Sequence, residues 1–128
     1  MIKKTILVDA WNTLVTQEGI NRELKSLLDT FDNPKLIVTN ANEEEMKQYG
    51  IIDMPYPVFS LAHDPNKTSS EYFIKLMQVY SLSKEEVVYF EHNKSAIESA
   101  MSIGISSFWY NPENPELEEL ALFLKSNL

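Results

Sequence analysis

Chemistry-bearing side chains stand at the ends of several apolar runs in this chain. Asp9 closes Ile6-Leu7-Val8-Asp9, Thr39 closes Leu36-Ile37-Val38-Thr39, and Glu91-His92 follow Val87-Val88-Tyr89-Phe90 at once. Lys67 ends the polar segment His63-Asp64-Pro65-Asn66-Lys67, just before a helical pattern. Runs of this kind read as buried parallel strands. Open α/β sheets place their ligands beyond the carboxyl ends of such strands. An Asp nucleophile, a hydroxyl, an ammonium and an acidic–imidazole pair converging on one crevice have the chemistry to handle a phosphate: the carboxylate attacks while the cation and hydroxyl hold and neutralise charge. Taken alone, Asp9 also reads as a strand-end residue capping the next turn, Thr39 as a hydroxyl bound to backbone, and Lys67 as a solvated loop lysine.

The elements that must position these groups alternate. Lys4–Asp9 is the first strand. Asn21 caps a helix to Phe31 with Leu24, Leu27, Leu28 and Phe31 on one face. Lys35–Thr39 is the second strand, and Asn42 with Glu45 three residues on reads as a capping box for a short helix ending near Gly50. Pro57–Ala62 is the third strand, and Ser69 or Ser70 opens a helix to Tyr80. Val87–Phe90 is the fourth strand, Ser95–Ile103 a helix closed by Gly104, Ser106–Tyr110 the fifth strand and Pro115–Leu124 the closing helix. Alternation at this spacing predicts an α/β fold: one domain over 1–128, with a doubly wound, mostly parallel, Rossmann-like sheet of five strands and helices on both faces.

Composition narrows the function classes. A hydrophobic fraction of 44% and a charged fraction of 23% are those of a globular chain able to bury a single core. The absence of cysteine excludes disulfides, thiolate metal sites and a Cys nucleophile, and fits a cytoplasmic location. The basic start Met1-Ile2-Lys3-Lys4 leads into an apolar run too short for a signal core, and no membrane span is expected. A net charge of −8 disfavours nucleic acid as a partner. Arg22 is the only arginine, so bidentate arginine clamps are nearly absent.

The motifs carry a resemblance. Asp9-Ala10-Trp11-Asn12-Thr13-Leu14 resembles the first motif of the haloacid dehalogenase-like superfamily, D-x-D-x-T-L in its phosphatases. Leu36-Ile37-Val38-Thr39-Asn40 is similar to the second, and Lys67-Thr68-Ser69-Ser70-Glu71-Tyr72-Phe73 to the third, commonly K-P-x-P-E-x-F. Val87–Asn93, followed by Ala100 and Ile103-Gly104-Ile105, resembles the fourth and its helix, commonly V-V-Y-V-G-D-S then A-x-x-x-G-I. The resemblance implies an aspartyl-phosphate formed on Asp9, with Thr39 and Lys67 acting on the transferring phosphoryl group. Substrate contacts would come from Thr39, Asn40, Lys67 and Asn12. Mg²⁺ would be held by Asp9, the Trp11 backbone carbonyl, Glu91 and His92. The stretch between the first two motifs has room for one helix and no cap domain, leaving an open crevice suited to a phosphorylated small molecule or macromolecule, or to a protein partner covering it.

Two departures from that pattern bear on activity. Trp11 stands where the phosphatases keep a second Asp as general acid and base, and an indole cannot protonate an alkoxide leaving group. His92 stands at the metal-ligand Asp, Glu91 at the preceding Gly, and Ala96 at a further acidic position, so weak Mg²⁺ binding is expected from a site that favours hard oxygen donors. The dehalogenase branch, D-x-Y-G-T-L, carries an aromatic where Trp11 stands and uses no metal, but it needs a cap arginine that this chain lacks. The expectation is therefore a divergent hydrolase domain with weak or impaired Mg²⁺-dependent phosphatase activity. The alternative is an inactive binding or regulatory module using the same crevice. A third possibility makes Glu91–His92 a base.

Overall fold

The computed structural model describes residues 3–128, so what was read from Met1 and Ile2 lies outside the described residues. The chain runs β1 (Thr5–Asp9), β2 (Val15–Thr16), β3 (Gly19–Ile20), α1 (Arg22–Leu28), β4 (Lys35–Thr39), α2 (Glu43–Tyr49), β5 (Val58–Ser60) and α3 (Ser70–Tyr80). A 3₁₀ turn at Lys84–Glu86 leads into β6 (Val87–Glu91), α4 (Lys94–Ser102), β7 (Ser106–Trp109) and α5 (Leu117–Asn127). Five strands form one parallel sheet in the order β5-β4-β1-β6-β7, as the alternating pattern predicts.

β1 is the centre of that sheet and every one of its residues is buried. It pairs with β4 on one side and β6 on the other, with Leu7 opposite both Leu36 and Tyr89. The strand order reverses at β1, so a crevice opens at its carboxyl end. Successive side chains alternate between faces. Ile6 and Val8, with Ile37, Val88 and Phe90, pack under Leu24 and Leu28 of α1 and Leu120 and Leu124 of α5. Leu7, with Val38, Val87 and Tyr89, packs under Tyr72, Phe73 and Leu76 of α3 and Ile97 and Ala100 of α4.

The boundaries differ from the expected ones where capping chemistry decides. Asn21 caps α1 by accepting from the Leu24 N–H at 3.2 Å, but the helix ends at Leu28; Phe31 still packs against the core from the turn beyond. Asn42 and Glu45 form the reciprocal capping box of α2 (2.9 and 3.0 Å), and Gly50 closes that helix at φ 73°. α4 starts at Lys94 because Asn93 accepts from the N–H groups of Ser95 and Ala96. α5 starts at Leu117, two residues after Pro115, because Glu116 is not helical (ψ 80°). The β2–β3 hairpin is an addition: two-residue strands fall below the length at which alternation is visible, and Gly19 at φ 103° lies at its turn. Among the described residues no helix is long and apolar enough to cross a membrane.

Tyr72 ties the sheet edge to the crevice. Its hydroxyl accepts the Thr39 N–H at 3.1 Å and has its single proton within donating distance of the carbonyls of Thr39 (2.9 Å) and Phe59 (3.0 Å), at the ends of β4 and β5. Tyr72→Phe strands the Thr39 N–H in a buried site. The substitution is expected to lower stability by about 1–3 kcal/mol, the usual cost of one unpaired buried polar group, while keeping the ring's packing. Urea unfolding of the two proteins measures it; equal midpoints would show that the hydroxyl holds nothing.

Candidate functional site

Adjacent strands bring two carboxylates side by side. Val8 is in register with Phe90, so Asp9 and Glu91 leave the sheet next to one another at the ends of β1 and β6. Lys67 reaches them from the loop before α3. Its N–H donates to Asn40 Oδ1 (2.7 Å), and its carbonyl accepts the Ser99 hydroxyl of α4, so the loop is fastened on both sides. The ammonium donates to Asp9 Oδ1 (2.8 Å), Glu91 Oε1 (2.6 Å) and the Val38 carbonyl (3.2 Å), which uses all three of its protons. Lys67 is only 5% exposed and Glu91 fully buried.

The remaining carboxylate oxygens are also engaged. Asp9 Oδ2 accepts the Thr13 hydroxyl at 2.7 Å and a hydrogen bond from His92 Nδ1. Glu91 Oε2 lies 3.2 Å from His92 Nδ1 and accepts the Asn93 N–H at 3.2 Å, while Tyr89 donates its hydroxyl to Glu91 Oε1. A carboxylate only accepts, so Nδ1 carries a hydrogen. Two carboxylates are thus bridged twice, by Lys67 and by His92. Trp109 secures the His92 backbone through an indole N–H to its carbonyl at 2.8 Å, and Lys94 sits 4.2 Å over the Trp109 ring.

Burial and charge set the protonation states. Burial alone would raise Asp9, but the Lys67 charge and the hydrogen bonds from its neighbours hold it well below the usual carboxylate range. Burial would lower Lys67, and the charges of Asp9 and Glu91 outweigh it and push the ammonium up. Glu91 is raised, first by burial and then by the Asp9 charge, with Lys67 opposing. Partial burial pulls the His92 imidazole down, but its hydrogen bonds to Asp9 and Glu91, with their charges, push it up to about 9.

These groups line a cavity of about 200 Å³ together with Trp11, Thr39, Asn40, Tyr49 and Asn93. Asp9, Thr39, Asn40, Lys67, Glu91 and His92 are therefore brought together as the sequence predicts. Thr39 directs its hydroxyl at its own loop, accepting from the Ala41 N–H at 3.2 Å. Asn12 is placed elsewhere: it is exposed at φ 65° in the turn after β1 and does not line the cavity. Its position in the motif suggests substrate contact, but the turn that brings Thr13 onto Asp9 carries Asn12 outward. Trp11 stacks on Tyr49 (centroids 4.8 Å apart) to wall one side. His63 stands at the rim, 2.7 Å from Glu45, a residue that the sequence marks only as a cap. Thr13, Tyr89, Tyr49 and Trp109 were missed; only Thr13, four residues after Asp9 in the same motif, left a local signal.

Two measurements probe this wiring. Lys67→Met leaves two buried carboxylates without their shared counter-charge and is expected to cost about 3–5 kcal/mol in chemical unfolding; a loss below 1 kcal/mol would mean that the ammonium is solvated. The His92 contribution has a defined pH window. Its folded-state value lies above that of a free imidazole, so the stabilisation is fully present below about pH 6.5. It is then lost as pH rises through about 9. Melting temperatures of the wild type should fall across that window more steeply than those of His92→Asn; parallel curves would refute the ion pair.

No protein-family model and no curated protein sequence matches the chain. Solved structures do. A haloacid dehalogenase (HAD) family enzyme from Bacteroides thetaiotaomicron, an aspartate-to-alanine variant in complex with magnesium and inorganic phosphate, superposes with a TM-score of 0.74 at 10% identity, covering 92% of this chain and 98% of that one. The core domain of a protein assigned as a phosphoglycolate phosphatase from Streptococcus pneumoniae TIGR4 gives 0.64 at 19% identity, covering 98% of both chains. An uncharacterized protein from Corynebacterium glutamicum gives 0.58 at 12%, covering 94% of both. The chain has the haloacid dehalogenase-like fold, with only the hairpin and α1 standing between β1 and β4 where a cap would be inserted.

Proposed function

We propose that the Asp9 crevice is the phosphoryl-handling site of a divergent hydrolase domain, with Asp9 as nucleophile, Lys67 as the positive charge that keeps it ionised and offsets the charge of the transferring group, and Thr39 beside them on the cavity wall. The observation that carries this reading is the buried Lys67 ammonium 2.8 Å from Asp9 Oδ1, which keeps the carboxylate ionised inside the cavity. A carboxylate offers about four lone-pair sites. Oδ2 carries both Thr13 and His92, whereas Oδ1 carries Lys67 alone, so Oδ1 retains a lone pair for attack. Attack on phosphorus forms the Asp9–phosphoryl bond and breaks the bond to the leaving oxygen, which departs with its electron pair. Water then attacks phosphorus and releases the Asp9 carboxylate.

Trp11 shapes both steps. No carboxylic acid stands there to protonate the departing oxygen, a loss of about 10²–10⁴ in rate. An aryl oxide leaves without protonation and an alkoxide does not, so the site favours a phosphate ester with a good leaving group. The ligand is a phosphorylated small molecule or macromolecule, and the open crevice leaves its remainder, or a protein partner, outside.

A second reading rests on the saturation of Oδ2 and of both Glu91 oxygens: a carboxylate so firmly held suits a binding module that recognises a phosphorylated ligand without turning it over. Hydrolysis of p-nitrophenyl phosphate and of an alkyl phosphate, by wild type and Asp9→Asn, separates the two. Slow turnover of the aryl ester alone, abolished by Asp9→Asn, is expected. Stabilisation by inorganic phosphate with no turnover of either ester would favour the binding module, and turnover that survives Asp9→Asn would remove Asp9 from the nucleophile's role.

A further inference from the structure

The fold's relatives include a magnesium-bound enzyme, and in this chain Asp9, Glu91 and His92 offer donor atoms within 4.8 Å of one another. Proximity is not fit. Mg²⁺ demands near-octahedral coordination by oxygen at about 2.0–2.1 Å and takes imidazole poorly. Here the imidazole nitrogen nearest the carboxylates is itself a donor, bonded to Asp9 Oδ2 and 3.2 Å from Glu91 Oε2. Each oxygen of the two carboxylates already accepts from the protein: Lys67 and Tyr89 on one side, Thr13, His92 and the Asn93 N–H on the other. The donor set does not suit the ion.

We infer that His92 takes the place of the divalent cation: the ring Asp9–Lys67–Glu91–His92 closes the site with protein donors alone, and the crevice works without bound metal. The two carboxylates offer a shared cation two places: Lys67 Nζ takes the one between Asp9 Oδ1 and Glu91 Oε1, and His92 Nδ1 the one between Asp9 Oδ2 and Glu91 Oε2. The backbone of His92 is fixed at this place. Its N–H approaches Asp9 Oδ2 at 3.4 Å, its carbonyl is held by Trp109, and Asn93 beside it caps α4. An entering ion would have to break the His92–Asp9 bond and strip Oδ2 of the Thr13 hydroxyl as well. The inference rests on the Asp9 crevice being the functional site and not on turnover, so a failed hydrolysis assay leaves it standing.

The test is thermal unfolding of the full chain against MgCl₂, with a monovalent salt at matched ionic strength as reference, for wild type, His92→Asp and His92→Asp combined with Asp9→Asn. Wild type should show no saturable shift. His92→Asp restores an oxygen donor at the vacated place and should gain a saturable upward shift of several degrees, which Asp9→Asn abolishes. A saturable, Asp9-dependent shift in wild type would overturn the inference. So would magnesium silence in both wild type and His92→Asp, because His92 would then not be what keeps the ion out. If His92→Asp does not fold, His92→Asn, which vacates the same place without adding charge, stands in for it under the same criteria.

Discussion

The buried ammonium of Lys67 is the constraint around which the rest of the structure is organised. Removing a cation and two carboxylates from water costs several kcal/mol per ion, and only close, fully hydrogen-bonded geometry offsets it. Here the contacts at 2.8, 2.6 and 3.2 Å meet that condition, and they come from β1, β6 and β4. The site is possible only while those three strands keep their parallel register, and the two apolar layers serve to hold that register. The loop carrying Lys67 is fixed from opposite sides by Asn40 and Ser99, so the cation arrives already oriented.

Two residues that depart from the motif pattern the sequence resembles face the same cavity. Trp11, packed against Tyr49, makes one wall of it aromatic. His92 places a hydrogen-bond donor beside both carboxylates. Neither side chain offers a carboxylate oxygen, and the charge balance of the two carboxylates is supplied inside the protein by Lys67 and His92. Among the described residues no buried side-chain nitrogen or oxygen lacks a partner. His92 completes a network with Asp9, Lys67 and Glu91, and complete buried networks specify one arrangement where partial ones do not.

Much of this was legible in the sequence because it depends on local rules. Strand ends announce themselves by a polar residue after an apolar run, which located Asp9, Thr39 and the Glu91–His92 pair. Asn21, Asn42 and Gly50 declared their helix boundaries by capping chemistry. What stayed hidden depends on contacts distant along the chain. Nothing near Lys67 in sequence says that its ammonium is buried between residues 58 and 24 positions away. Nothing near Trp109 in sequence says that its indole anchors the His92 backbone across 17 positions. Asn12 differs for a local reason: its motif position suggests a ligand contact, but it stands exposed at φ 65° in the turn after β1, outside the cavity lining.

The size of the cavity then limits what the site can recognise. About 200 Å³ is below the roughly 300–1,000 Å³ typical of pockets that enclose a whole small-molecule ligand. On the phosphoryl-handling reading, the reacting group enters and the rest of the ligand stays outside. Selectivity must then come from the surface around the mouth. There, Trp11 and Tyr49 also line a second groove of about 450 Å³ with Val15, Thr16 and Gly19 of the hairpin and Lys47 of α2. The element least visible in the sequence, the β2–β3 hairpin, thus lines the groove beside the cavity mouth, where on that reading the rest of the ligand would lie.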